Sequence, residues 1–236
     1  MQFDMKRLSV IAFSLLIAAA CLAAPGGRRV KVRLSTSMGD IVVELYNETP
    51  KHRDNFVKLV KEGFYDGLLF HRVIENFMIQ GGDPDSRGAA PRKRLGEGGP
   101  GYTVPAEIDY PLHWHKRGAL AAAREGDDVN PGRSSSGSQF YIVWGKIQSE
   151  AAMAAVRQRM YEMTDGEFEL PDEIMESYET NGGTPHLDGE YTVFGEVVEG
   201  LNIVKAIQRV RTDKYDRPVK DVKILKAEIV EQPAKA

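Results

Sequence analysis

The sequence predicts a mainly β domain, a barrel or sandwich with helical caps, set behind an N-terminal targeting segment. Three observations predict it. Short stretches of alternating apolar and polar residues recur along the chain, only two helical patterns flank them, and Gly- and Pro-rich loops separate them. A chain of 236 residues suffices for one sizeable domain and is marginal for two.

The first two strands read as a hairpin. Val30-Lys31-Val32-Arg33-Leu34 alternates apolar and polar residues, as does Ile41 to Leu45, and Ser37-Met38-Gly39-Asp40 separates them. Thr49-Pro50 predicts a helix start, with Thr as N-cap and Pro at the first helical position. Phe56, Leu59 and Val60 share one face of that helix, and Gly63 ends it. Leu68 to Val73 predicts a strand, and residues 81–101, rich in Gly and Pro, predict loop. Short strands follow around Gly118–Ala123, Gln139–Trp144 and Tyr191–Val197. Leu201 to Val210 has helical spacing through Ile203, Val204 and Ile207, and Val219 to Val230 closes the domain with strand.

One segment breaks the β texture. Ser149 to Gly183 is helical in character, with Ser149 as N-cap and Met153, Val156, Met160 and Met163 on one stripe. Pro171-Asp172 opens a second helix that ends at Asn181-Gly182-Gly183. Such a Met stripe is read as packing rather than as a groove for a partner.

Composition narrows the function classes. With 42% hydrophobic and 28% charged residues and a net charge of −3, the chain has no strong field to attract nucleic acid or an anionic membrane. Met5-Lys6-Arg7 followed by the apolar run Leu8 to Ala20 reads as a signal segment, too short for a span of about 20 residues. The expected division is residues 1–20 signal, 21–29 linker, 30–231 folded domain with an insertion at about 149–183, and 232–236 tail. Cys21 is the only cysteine and lies where the apolar run ends. Ala18-Ala19-Ala20-Cys21 resembles a lipoprotein cleavage site, which makes Cys21 a candidate for lipidation; ordinary cleavage near Ala20 or Ala23 is the alternative. Either route predicts an exported protein, periplasmic or membrane-anchored, whose folded domain has no thiol chemistry.

The usual catalytic patterns are missing. Gly96, Gly98 and Gly101 satisfy G-x-G-x-x-G, but Pro100 interrupts them and neither an apolar strand nor a helix flanks them. His113 and His115 flank Trp114 without a third ligand, so no metal site is expected. Gly137-Ser138-Gln139 lacks the second Gly of a nucleophile elbow, and no cluster is expected to combine a nucleophile, a base and an orienting acid.

What stands out is Phe70-His71-Arg72-Val73-Ile74-Glu75-Asn76-Phe77-Met78-Ile79-Gln80-Gly81-Gly82-Asp83. The stretch resembles the signature of the cyclophilins. Gly118 to Arg124 is similar to that family's next active-site strand, Ser136 to Ile142 to its G-S-Q-F-F-I motif, and Leu187-Asp188-Gly189 with Val193-Phe194-Gly195 to its L-D-G and V-F-G motifs. The resemblance implies a closed eight-stranded antiparallel β-barrel capped by two helices. It also implies a peptidyl-prolyl cis/trans isomerase, without cofactor, acting on proline-containing polypeptides, and a monomer is expected.

That chemistry explains the missing patterns. Rotation about an X–Pro bond faces a barrier of about 18–20 kcal/mol from amide resonance and breaks no bond to a substrate atom. In the twisted transition state the prolyl nitrogen regains a lone pair, so a fixed donor there is worth more than in the ground state. Arg72 is the expected donor. By the resemblance, Gln80 hydrogen-bonds the substrate backbone, while Phe77, Met78, Tyr141 and Leu187 wall an apolar pocket for the proline ring. The backbone beside Ala123 and Arg124 holds the peptide, and Gln139, His186 and Tyr191 complete the substrate-binding set. His186 stands where many eukaryotic members have Trp, Tyr191 where they have His, and Tyr141 where Phe is usual. The alternative function is a catalytically idle proline-peptide-binding or chaperone module, against which the retained Arg72 argues.

Overall fold

The computed structural model describes residues 27–166 and 170–230. The signal segment, Cys21 and the 232–236 tail lie outside the described residues. The alternation at the start of the domain forms β1 (Lys31–Thr36) and β2 (Gly39–Leu45), paired so that Val32 faces Val43 and Leu34 faces Ile41. Chain order continues through α1 (Pro50–Lys61), β3 (Arg72–Ile74), β4 (Met78–Gly81), β5 (Thr103–Val104), β6 (Ala119–Ala122), β7 (Ser135–Ser136) and β8 (Phe140–Val143). Then come α2 (Glu150–Met163), α3 (Asp172–Thr180), β9 (Val193–Glu199), α4 (Leu201–Ile207) and β10 (Ile224–Val230).

Eight strands form one antiparallel sheet in the order β10-β1-β2-β9-β6-β8-β4-β3, and β5 pairs with β7 apart from it. The sheet curls around a core of Val32, Leu34, Ile41, Val43, Phe140, Ile142 and Phe194. Phe56, Leu59 and Val60 of α1 and Val204 and Ile207 of α4 plug it. Each such side chain, fully buried, is worth about 1.5–3 kcal/mol.

The expected closed barrel is corrected at one seam. Between the end strands β3 and β10 there is no full ladder: the bridge Leu69–Lys223 lies among Gly67 N–H donating to Ile224 O (2.8 Å), Phe70 N–H to Val222 O (2.9 Å) and Ile224 N–H to Leu68 O (2.8 Å). The cause is local. Beyond Phe70 the chain turns off the line of β10, and Val73 N–H donates instead to Asp216 O at 2.8 Å. The strand expected over Leu68–Val73 is therefore reduced to a bridge and the three residues of β3.

Thr49 does not cap α1 as expected; its side chain makes no cap hydrogen bond. Glu107 does so from a distance, accepting from Lys51 N–H (3.0 Å) and His52 N–H (2.9 Å). Free amides at a helix start favour a carboxylate, whichever part of the chain supplies it. In the insertion, Ser149 caps α2 as its sequence predicts, accepting from Ala152 N–H at 3.2 Å. Met153 packs with Leu170, Ile174 and Tyr178 in a small second core against which Tyr110 and Trp114 also pack, and Met160 is buried as well.

Candidate active site

Register sets the site. Arg72 on β3 pairs with Gln80 on β4, Gln80 with Tyr141 on β8, and Tyr141 with Ala121 on β6. Paired residues share a face and neighbouring strands lie about 4.8 Å apart, so this row runs across four strands. Alternation decides which face. Phe140 and Ile142 enter the barrel core, while Tyr141 and Val143 join Met78, Ala119, Ala121 and Val193 in a second apolar cluster on the outer face. Phe77, Ala123, Leu187 and Tyr191 pack around that cluster.

There the surface opens into a pocket of about 150 Å³. Arg72, Phe77, Met78, Gln80, Ala123, Arg124, Tyr141, Leu187 and Tyr191 line it. Met78 and Tyr141 are buried floor, whereas the Arg72 side chain is 43% exposed and can reach a ligand. The guanidinium is held on two sides, its Nη1 donating to Gln80 Oε1 at 3.3 Å and its Nε lying 3.7 Å from Asp216 Oδ2. Burial pushes the Tyr141 phenol well above its ordinary range, so it stays neutral.

Two of the expected binding residues stand outside the pocket wall. Gln139 is buried behind Gln80: its Oε1 accepts from Gln80 Nε2 at 3.0 Å, and its Nε2 donates to Gly96 O (2.9 Å) and Gly98 O (2.8 Å). His186 stacks on Phe77 with ring centroids 5.6 Å apart and so flanks the wall without lining it. Burial keeps its imidazole below the usual range. The backbone of Ala123 is also spent internally, its N–H donating to Gln139 O (3.0 Å) and its carbonyl accepting from Ser136 N–H (2.8 Å). Of the two peptide-holding positions expected there, the pair at Ala123 is already occupied. The Arg124 guanidinium lies over the Tyr191 ring at 4.4 Å, and its Nε donates to Glu190 O at 2.9 Å. Arg124 thus fixes Tyr191 at the rim.

Space also assembles what sequence order hides. Ser135 Oγ lies 2.9 Å from His52 Nε2, and His52 Nδ1 lies 2.7 Å from Glu107 Oε2. This has the connectivity of a hydrolase triad, contrary to the expectation that no nucleophile, base and acid combine. It is a structural tie all the same. Ser135 is 1% exposed, and the crevice beside His52 has room of about 10 Å³, the size of a single water. His113 stacks on Tyr46 at 4.0 Å, while His115 bonds to Asp188 and Tyr141, so the two histidines do not converge. Among the described residues no group of three or more His, Cys, Asp or Glu is placed to hold a metal ion, and no helix is long and apolar enough to cross a membrane.

Comparison with known proteins agrees with the geometry. The family model described as cyclophilin type peptidyl-prolyl cis-trans isomerase/CLD matches residues 31–229. The chain is a cyclophilin. It is 38% identical over 197 residues to the Schizosaccharomyces pombe peptidyl-prolyl cis-trans isomerase ppi1, covering 83% of this chain and 96% of that one. A Staphylococcus aureus relative is 37% identical over 205 residues, covering 86% of this chain and 92% of its own. Among solved structures, a Cryptosporidium parvum cyclophilin type isomerase matches with a TM-score of 0.61 and 26% identity, covering 87% of this chain and all of that one. This cyclophilin is accordingly a peptidyl-prolyl cis-trans isomerase.

Proposed function

We propose that this cyclophilin isomerises X–Pro bonds in exported polypeptides and that Arg72 is the donor that stabilises the twisted bond. The observation that carries the assignment is the position of the Arg72 guanidinium. It stands at the open edge of an apolar pocket, braced by Gln80 and Asp216 rather than locked in a buried ion pair. Phe77, Met78, Tyr141 and Leu187 take the proline ring in either isomer, and that contact contributes binding without favouring the transition state. Arg72 discriminates. The amide nitrogen is a poor acceptor while conjugated and a good one once the bond twists, so its bond to the guanidinium forms mainly at the top of the barrier. Gln80, in the pocket lining, holds Arg72 through Oε1 and hydrogen-bonds the substrate backbone. Peptide contact in the groove falls to the Arg124 backbone, since the Ala123 amide and carbonyl and the Arg124 guanidinium are engaged.

Replacement tests the assignment. Arg72→Ala lowers kcat/KM for a tetrapeptide substrate at least about tenfold, the equivalent of 1.4 kcal/mol, while the circular dichroism of the fold is kept. Arg72→Lys recovers little, because an ammonium lacks the planar fork. Near wild-type turnover in folded Arg72→Ala protein overturns the mechanism. A wild-type protein that binds proline peptides without turning them over selects the idle binding module instead.

Export rests on the charged start and the apolar run Leu8 to Ala20. The native protein is expected to begin near Cys21 or Ala24 by mass spectrometry, and a lipid increment on Cys21 selects the anchored form. A full-length cytosolic protein refutes both.

A further inference from the structure

The insertion reaches the pocket through a line of buried hydrogen bonds. Tyr178 on α3 donates its hydroxyl to Asp188 Oδ2 at 2.7 Å. Asp188 Oδ1 accepts the His115 backbone N–H at 2.8 Å and faces His115 Nδ1 at 2.9 Å. His115 Nε2 faces the Tyr141 hydroxyl at 2.9 Å. All four residues are at least 95% buried. They come from separate places: the insertion, the turn after Pro185–Leu187, the loop before β6, and the centre of β8.

Proton bookkeeping fixes the direction. A carboxylate only accepts, so Nδ1 carries the proton and donates to Asp188. In the neutral ring Nε2 is then a bare lone pair, which accepts from the Tyr141 hydroxyl. This matters because Tyr141 floors the pocket meant for a proline ring. A hydroxyl left unpaired there would face an apolar ligand at the full cost of lost solvation. Drawn back onto His115, it leaves the face of its ring to the ligand.

We propose that Tyr178, Asp188 and His115 are positioning residues through which the insertion sets the Tyr141 ring in the proline pocket. The same turn is held a second time from α2, where Arg159 Nη2 donates to Pro185 O at 3.3 Å. The insertion is therefore a brace for the pocket's floor and for the wall carrying Leu187. The proposal rests on the assignment of this pocket to proline. Because the pocket grips ground and transition states alike, loss of the line raises KM and leaves kcat, whereas loss of Arg72 lowers kcat.

The test is a double-mutant cycle on the full chain, scored by KM and kcat for a tetrapeptide substrate. Tyr178→Phe is expected to raise KM about fivefold, the scale of one hydrogen bond, with kcat within about twofold. In a Tyr141→Phe background, which keeps the ring and removes the hydroxyl, the same change is expected to have no further effect on KM. Equal KM effects in both backgrounds show general destabilisation and overturn the proposal. Ring ¹⁵N resonances of His115 in the wild type supply a second measurement that needs no variant. A proton on Nδ1 and none on Nε2 supports the line; the opposite tautomer or a cation overturns it. Wild-type protein without isomerase activity would end the functional assignment, and the His115 tautomer and its response to Tyr178→Phe would still decide this one.

Discussion

At the scale of single residues, Gln139 shows how a site is built from behind. Gln80 can point its amide either way, and only one way works: Oε1 must face Arg72 to accept, which turns Nε2 toward Gln139 Oε1. Gln139 is itself fixed because its Nε2 is committed to the carbonyls of Gly96 and Gly98. Gln139→Leu keeps the volume and removes both directions. The expected outcome is a fall in kcat/KM of about three- to tenfold, smaller than that of Arg72→Ala, with faster amide exchange in the 96–98 loop. Wild-type kinetics in folded Gln139→Leu protein would show that Gln80 orients itself. The nine pocket residues were legible in the sequence because most sit in two short stretches, Arg72 to Gln80 and Ser136 to Ile142, joined by motifs that resemble a known family. Gln139 was legible as a member of the set but not in its place: it shares the face of Tyr141, yet its amide is spent on Gln80 and on the carbonyls of Gly96 and Gly98, which only the folded loop brings to it. The Ser135–His52–Glu107 contacts were invisible, because the partners stand 83 and 55 residues apart and only folding joins them.

At the scale of elements, the insertion is the part the sequence described well internally and poorly externally. Its helices follow from Ser149 and from Pro171-Asp172, and its Met stripe packs inward at Met153 and Met160. Nothing local announced that Tyr178 meets Asp188, or how the segment rejoins the barrel. The return is made at a crossing of glycines. Gly183 bridges both Lys116 and Lys146, and a Cβ on Gly145 would stand 2.2 Å from the Gly183 carbonyl carbon and oxygen. Gly145 also has φ +66°, where a side chain is strained. Backbone cannot swing aside as a side chain can, so Gly145→Ala must push the insertion off its seat. A loss of about 2 kcal/mol or more is expected, or roughly 4–8 °C in Tm for a domain of this size. Gly132→Ala is the control, since nothing lies within 4 Å of a Cβ there. If the two variants melt together, the crossing does not hold the insertion.

At the scale of the whole molecule, the barrel and its caps followed from periodicity, while the seam at β3 did not, because the Asp216 carbonyl that diverts Val73 belongs to a distant loop. The same burial that makes the fold sets its response to acid. His52, His71, His113 and His186 all have their imidazoles held below the usual range, in each case by burial more than by neighbouring charge. His71, 2% exposed, is lowered to about 4. The sign follows from proton counting. Unfolded, each imidazole takes up a proton near pH 6.5; folded, it does not, so the unfolded chain binds more protons as pH falls and stability drops. The loss is absent above about pH 6.5 and for His71 continues down to about 4. Carboxylates such as Glu48, lowered despite its partial burial by a backbone hydrogen bond and the Arg29 charge, have the same sign but act only below about pH 4.5. Between these limits the slope belongs to the histidines. His71 alone accounts for on the order of 2 kcal/mol by pH 5. The urea midpoint is therefore expected to fall steadily from pH 7 to pH 5, and His71→Leu to flatten that slope by its share. A midpoint that stays level to pH 5 would mean that these rings gain protons without unfolding, and that burial does not keep them neutral.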